Sequence, residues 1–289
     1  MSTTYLLAYV DDILVTGISA TEIESLIQQL HAVFTLKDLG EMSFFLGVEV
    51  VRDSPDSLLL KQSKYIKELL GKANIPDAKP VPTSMLNSPK LTGLQYATIT
   101  RPEIAYSVSK VSQYMHAPSD LHWKAVKRIL RYLDGTIDLG LQIHKSDTLR
   151  IMAFSDSDWA TDTDGRKSVS GYCVFLGTNL VTWSSRKQRT VSRSSTEAEF
   201  WALADAMTDT IWLQKLLLEM RLPPGPAPTM FCDNQSTVLM TRNPVLHSRS
   251  KYFEIDLHFV RNIVVQQLAH VVHIPSQDQF ADILTKLLS

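Results

Sequence analysis

Acidic side chains mark the two places in this 289-residue chain where chemistry is most readily built. Tyr9-Val-Asp-Asp12 sets two carboxylates side by side between the β-prone runs 5–10 and 13–16, a pattern that predicts a tight hairpin. Asp is a good turn residue, which is one reading of the pair. Adjacent like charges repel, however, and Gly or Asn would serve a hairpin turn better, so Asp11 and Asp12 also read as hard-oxygen ligands for Mg²⁺. A second set lies further on: Asp156 ends a predicted strand, Glu199 sits in the first turns of a long helix, Asp233 ends a short strand and Asp282 opens the final helix. Four carboxylates at strand ends and helix starts can converge on one face of an α/β sheet, where they repel one another unless cations hold them. Two Mg²⁺ or Mn²⁺ ions about 3.5–4 Å apart would do so and would suit phosphodiester cleavage.

Each acid also has a purely structural reading. Asp156 precedes Asp158 and Asp162 in a possible turn; Asp158 would share a strand face with Asp156 if the strand extends that far. Ser194-x-x-Glu197 and Thr196-x-x-Glu199 both fit a capping box. Asp233-Asn234 fits a turn or an N-cap, and Asp282 suits a helix dipole.

The elements that must position these acids follow from hydrophobic spacing. A helix is expected over 19–34 (Ile23, Ile27, Leu30, Phe34), then a hairpin from 44–51 and 58–60, then a helix through Tyr65, Ile66, Leu69 and Leu70. The proline-bearing stretch 74–92 reads as a linker. Helices are expected over 104–115 and 119–133, the second with an apolar stripe of Val126, Ile129, Leu130 and Leu133. Strands near 149–155, 171–177 and 180–184, a helix over 195–220, a strand at 229–232, two helices, a strand at 269–274 and a last helix complete an α/β layered unit.

Composition sets outer limits. Hydrophobic residues make up 44% and charged residues 20%, a globular profile, and the net charge of -1 leaves any nucleic-acid binding to local patches. The stripe Lys124, Lys127, Arg128 and Arg131 and the run Arg186, Lys187, Arg189 and Arg193 could each follow a phosphate backbone; a solvated helix face explains the first equally well. Cys173 and Cys232 make no disulfide framework and no Cys/His spacing typical of structural zinc. With no signal-peptide pattern and no apolar run of about 18 residues, an intracellular chain, cytoplasmic or nuclear, with no membrane partner is the expectation.

Tyr9-Val-Asp-Asp-Ile-Leu-Val15 resembles the YxDD hairpin of reverse transcriptases. Phe34-Thr-Leu-Lys-Asp-Leu-Gly40, Phe45-Leu-Gly-Val-Glu49, Thr100-Arg-Pro-Glu-Ile-Ala-Tyr106 and Lys127-Arg-Ile-Leu-Arg-Tyr-Leu133 look like successive landmarks of the Pol polyprotein of copia-type LTR retrotransposons. Ala153-Phe-Ser-Asp-Ser-Asp-Trp-Ala160, Ser194-Ser-Thr-Glu-Ala-Glu-Phe200, Cys232-Asp-Asn-Gln-Ser236 and Phe280-Ala-Asp-Ile-Leu-Thr-Lys286 resemble its ribonuclease H domain. The resemblance implies a truncated reverse-transcriptase palm over 1–73, a connection-like helical region over 74–145 with an internal deletion near 92–93, and a ribonuclease H-like mixed-sheet domain over 146–289. It matches Asp156, Glu199, Asp233 and Asp282 to the four catalytic acids, with Glu197 and Asp158 as close competitors. A polymerase of this family also needs an upstream palm aspartate and fingers, and the sequence opens just before the hairpin. Polymerase activity is therefore expected to be lost, with Asp11 and Asp12 vestigial.

The implied function is two-metal hydrolysis of RNA in an RNA–DNA hybrid, with other Pol segments as partners; a catalytically silent relic or a nucleic-acid-binding module is the alternative. The family's histidine before the last acid sits in a Gly-His context; His273-Ile-Pro-Ser276 lacks that glycine, which leaves His273 open as a strand residue. The closing Lys286-Leu-Leu-Ser289 departs from the family's Lys-Pro-Leu.

Overall fold

The computed structural model describes residues 3–73, 89–162, 164–243 and 254–286. β1 (Thr4–Tyr9) and β2 (Asp12–Gly17) pair antiparallel with Tyr9 opposite Asp12, so Val10 and Asp11 alone make the turn. Val10 takes φ 51°, a conformation that a β-branched residue adopts only under strain. α1 (Ala20–Val33) is capped by Ser19, whose hydroxyl accepts from the Glu22 N–H. Its stripe of Ile23, Ile27 and Leu30 is only half-buried and Phe34 is exposed, so this helix has the expected periodicity without a core beneath it.

A four-stranded antiparallel sheet follows, in the order β3 (Phe44–Phe45), β4 (Val48–Ser54), β5 (Ser57–Lys61) and β6 (Leu141–His144). β6 was not expected: its four residues carry little pattern, and they become a strand only by pairing Leu141 to His144 against Leu60 to Ser57. Gly140 permits that approach, because a Cβ there would lie 2.2 Å from the Leu60 carbonyl oxygen. This sheet therefore crosses the division expected between 73 and 74. Beside it, α2 (Ser63–Lys72), α3 (Pro89–Ala97), α4 (Ala105–Ser112) and α5 (Asp120–Gly135) bury Ile66, Leu94, Val108, Val126, Leu130 and Leu133 in one core. α3 falls partly in the stretch read as a linker, and it runs unbroken through 92–93; residues 74–88 lie outside the described ones. Arg101 is buried at the junction, where its guanidinium donates to the Thr136 carbonyl and hydroxyl and pairs with Glu103 at 2.6 Å.

The third sheet has five strands in the order β11 (His270–His273), β10 (Thr229–Cys232), β7 (Ile151–Asp158), β8 (Val169–Leu176), β9 (Asn179–Lys187). β7, β8 and β9 form an antiparallel meander, while β10 and β11 run parallel to β7. α6 (Ser195–Glu219), α7 (Gln235–Arg242) and α8 (Glu254–Val265) cover one face, where Ala153, Val174, Phe200, Met207, Met230 and Leu257 are buried. The other face buries Phe154, Cys173 and Leu284 together with Ala105 of α4. Burial on both faces explains why the Ile151–Phe154 half of β7 and the Tyr172–Leu176 half of β8 are apolar at successive positions rather than alternating. The last helix is a correction: Asp282 lies in a 3₁₀ turn, Phe280–Leu284, not at the start of an α-helix. Gly171 of β8 lets that turn sit directly on the sheet, since a Cβ would come within 2.8 Å of Leu284 Cβ.

Candidate active site

Register and capping bring the acids together. Asp156 lies opposite Gly171 near the carboxyl end of β7, and Cys232, the last residue of β10, is level with Ser155. Asp233 therefore leaves the sheet one residue beyond, beside Asp156. Glu199 comes from the second turn of α6, whose start is held by Ser194 accepting from the Glu197 N–H at 3.1 Å. Glu197 turns back so that its carboxylate accepts from the Arg193 N–H at 2.8 Å; it caps the helix, and Glu199 does not. Asn234, not Asp233, caps α7 through the Thr237 N–H at 3.0 Å.

The Asp233 charge acts on both Asp156 and Glu199. Burial raises the Asp156 pKa to about 6, against the pull of a hydrogen bond from Thr285 and the charge of Lys286, with Asp282 and Asp233 adding to the rise. Burial likewise pushes Glu199 up to about 9, with the Asp156 and Asp233 charges adding to it. Glu199 Oε2 is buried without a hydrogen-bond partner. Ligand atoms of Glu199, Cys232 and Asp233 lie within 4.8 Å of one another, the one such group among the described residues. Asp282 stands at the rim and joins through Lys286, whose Nζ is 2.7 Å from Asp282 Oδ1 and 3.6 Å from Asp156 Oδ2. Asp158 is half-buried at the end of β7, its pKa raised by burial and drawn back by Lys286. An ammonium bridging two carboxylates and an unsatisfied buried carboxylate oxygen are what a cation site looks like, so the residues present fit a divalent metal.

Other parts came only with the structure. Ser276 Oγ donates to Asp233 Oδ2 at 2.7 Å, and the His273 imidazole donates to the Asp233 carbonyl at 3.1 Å, so His273 is an exposed strand-end residue tied to the backbone of an acid. Gln279 donates to the Ser155 carbonyl at 2.9 Å and anchors the last turn against β7. Gln188 donates to Ser170 Oγ at 2.8 Å and the Ala198 carbonyl at 2.9 Å and accepts from Ser192, linking three elements behind Asp156 and Glu199. No spacing rule points to these partners. Lys286 was legible only as a charge four residues after Asp282.

The basic residues divide. Arg186 and Arg189 are exposed, but Lys187 Nζ is 2.7 Å from the fully buried Asp162, so its charge is committed inside the fold. On α5, Lys124, Arg128 and Arg131 are exposed opposite the buried stripe, and Lys127 lies over the Trp123 ring at 5.6 Å. Asp11 and Asp12 are exposed at the hairpin tip, and among the described residues no third metal-ligating side chain completes a group with them. No helix among the described residues is long and apolar enough to cross a membrane.

A five-stranded mixed sheet with its second strand antiparallel and acids gathered at the end of the first is a ribonuclease H-like architecture, here following reverse-transcriptase elements. Residues 3–87 match the family described as reverse transcriptase (RNA-dependent DNA polymerase). The chain is 43% identical over 303 residues to the retrovirus-related Pol polyprotein from transposon RE2 of Arabidopsis thaliana, a match covering 99% of this chain and 21% of that protein. An uncharacterized mitochondrial protein of the same plant is 45% identical over 225 residues, covering 72% of this chain and 93% of that one. Among solved structures, the foamy viral protease–reverse transcriptase dRH in complex with double-stranded DNA superposes with a TM-score of 0.57 at 13% identity, covering 93% of this chain and 46% of that one; the likeness is one of fold. The chain belongs to the copia-type retrotransposon Pol family. It spans about a fifth of the length of the transposon polyproteins it matches.

Proposed function

We propose that this chain hydrolyses the RNA strand of RNA–DNA hybrids at the centre made by Asp156, Glu199, Asp233 and Asp282. The observation that carries the reading is the buried, mutually repelling carboxylate cluster, with Glu199 held up to about 9 and one of its oxygens unsatisfied. Asp156, Glu199 and Asp233 would hold divalent cations, Mg²⁺ or Mn²⁺, with Asp282 completing the set from the rim. Bound there, such ions would supply an activated water and neutralise charge on the scissile phosphate and leaving oxygen. The chain's own part is positional. Thr285 and Gln279 hold Asp156 and its neighbour to the last turn, Ser276 orients Asp233, and the α6 cap sets the depth of Glu199. Lys286 balances Asp156 and Asp282 and would yield to a metal. Exposed 2′-hydroxyls would single out the RNA strand, and Arg186, Arg189 and the α5 cations would follow the phosphates.

In this reading residues 146–289 form the nuclease domain, 74–145 a connection tied to the preceding segment through β6, and 1–73 part of a reverse-transcriptase palm that carries Asp11 and Asp12. The test is cleavage of an end-labelled RNA–DNA hybrid with Mg²⁺ or Mn²⁺ and with chelator. Cleavage should need the metal and fall by at least about 100-fold in Asp156→Asn, Glu199→Gln and Asp233→Asn, in line with the loss of a group acting on the reacting atoms. Undiminished cleavage by any of these variants would remove that acid from the assignment.

A further inference from the structure

We propose that Cys232, Glu199 and Asp233 form a mixed sulfur–oxygen site for one thiophilic divalent ion of the Zn²⁺ and Cd²⁺ class. Their ligand atoms lie within 4.8 Å of one another, close enough for one ion to gather all three with small side-chain adjustments. Cys232 is fully buried, which alone would make it an ordinary core cysteine. Its sulfur is nevertheless placed at the carboxyl end of β10, under the turn, where it accepts from the Asn234 N–H at 3.4 Å. Two buried oxygens around it lack any hydrogen-bond partner: Glu199 Oε2, in a side chain 6% exposed, and Ser155 Oγ, in the residue level with Cys232 on the neighbouring strand. An orphaned buried carboxylate oxygen beside a thiol is a ligand set short of its ion.

The chemistry separates this site from an all-oxygen one. Mg²⁺ keeps its waters and ignores sulfur, whereas Zn²⁺ and Cd²⁺ take a thiolate with carboxylates and leave a fourth position open. On binding, the Cys232 S–H bond breaks, its proton passes to solvent, and a sulfur–metal bond forms with no change of oxidation state. Because Glu199 and Asp233 also belong to the proposed hydrolytic set, a thiophilic ion bound here would silence that centre at concentrations far below those of Mg²⁺. The inhibitory consequence rests on the proposed hydrolysis; the binding itself does not.

Titration of the full metal-free chain with Cd²⁺ tests it, read by the ultraviolet sulfur-to-cadmium charge-transfer absorption. One equivalent should develop the band, and Cys232→Ser should abolish it and weaken Cd²⁺ binding by roughly tenfold or more. Cys173→Ser removes the other thiol, buried on the opposite face of the sheet, and should leave the band intact. Glu199→Gln and Asp233→Asn should keep the band while lowering affinity. Cys232→Ala serves as a second variant if serine disturbs folding, checked by near-ultraviolet circular dichroism. A folded chain with no band, or a band that survives Cys232→Ser or Cys232→Ala, overturns the proposal. Loss of the hydrolysis reading alone would leave the absorption unchanged.

Discussion

Glu199 holds its proton far above the ordinary carboxylate range and Asp156 holds its own to about 6; burial raises both first, neighbouring carboxylates add to it, and Thr285 and Lys286 hold Asp156 back. An unfolded chain releases the Glu199 proton near 4.5, whereas the folded, metal-free chain keeps it to about 9. Between those values the folded state binds more protons, so its stability falls as pH rises and the loss is complete above about 9. Thermal melts in chelator should therefore move down from pH 5 to pH 9. Glu199→Gln should flatten that descent and melt roughly 5 °C above the parent chain at pH 9, with little difference at pH 5. Parallel pH profiles for the two proteins would show that Glu199 is not held protonated.

The elements reach this site through close approaches that leave no slack. Gly171 lies opposite Asp156, and a methyl group there would meet Thr285 Cγ2 at 2.7 Å, Leu284 Cβ at 2.8 Å and the Leu284 backbone at 3.1 Å. Backbone cannot yield as a side chain can, so Gly171→Ala should lift the last 3₁₀ turn from the sheet. The Thr285 bond to Asp156 and the Lys286 bridge would loosen with it. We expect a stability loss of about 1–3 kcal/mol, the range for overpacking, in denaturant unfolding. Hybrid cleavage should also weaken if the proposed centre acts. A variant as stable as the parent would place the turn under less constraint than its packing implies.

At the scale of the whole molecule, the basic run at the end of β9 divides into Arg186 and Arg189, which face solvent, and Lys187, which holds the fold. Arg186 and Arg189 project from the end of β9, two strands from Asp156 and so on the order of 10 Å across the sheet. Replacing both with Ala should lower the slope of log affinity for a hybrid against log salt by about 1–2, as lost phosphate contacts release fewer counterions. Lys187→Ala should act differently. It strips the partner from Asp162, which is fully buried, and should cost roughly 3 kcal/mol of stability with little change in the salt slope. A slope changed equally by Lys187→Ala would mean that all three cations meet phosphate.

How much of this was legible beforehand follows from the range of the forces involved. Hairpin turns, helix caps and apolar periodicity act over a few residues. The first hairpin (with its turn one residue earlier than expected, at Val10–Asp11), the buried stripe of α5, the strands β7 to β9 and the start of α6 near Ser195 were accordingly readable from the chain alone. The placement of Asp156 near a strand end, Asp233 just past one and Glu199 early in a helix was readable for the same reason, whereas the helix start expected at Asp282 is a 3₁₀ turn. What spacing could not supply was any choice that depends on distant chain. Glu197 and Glu199 each fit a cap, and only packing against β7 and β10 turns one back to Arg193 and sends the other into the cluster. β6 exists because β5, about 80 residues earlier, offers it a free edge, and the last segment is a 3₁₀ turn because Gly171 lets it lie flat on the sheet. Lys187 looked like its exposed neighbours until Asp162 was found beneath it. In each case the sequence by itself determined local geometry, and tertiary contact decided among the partners that this geometry left open, because burial is what makes one pairing cost far less than another.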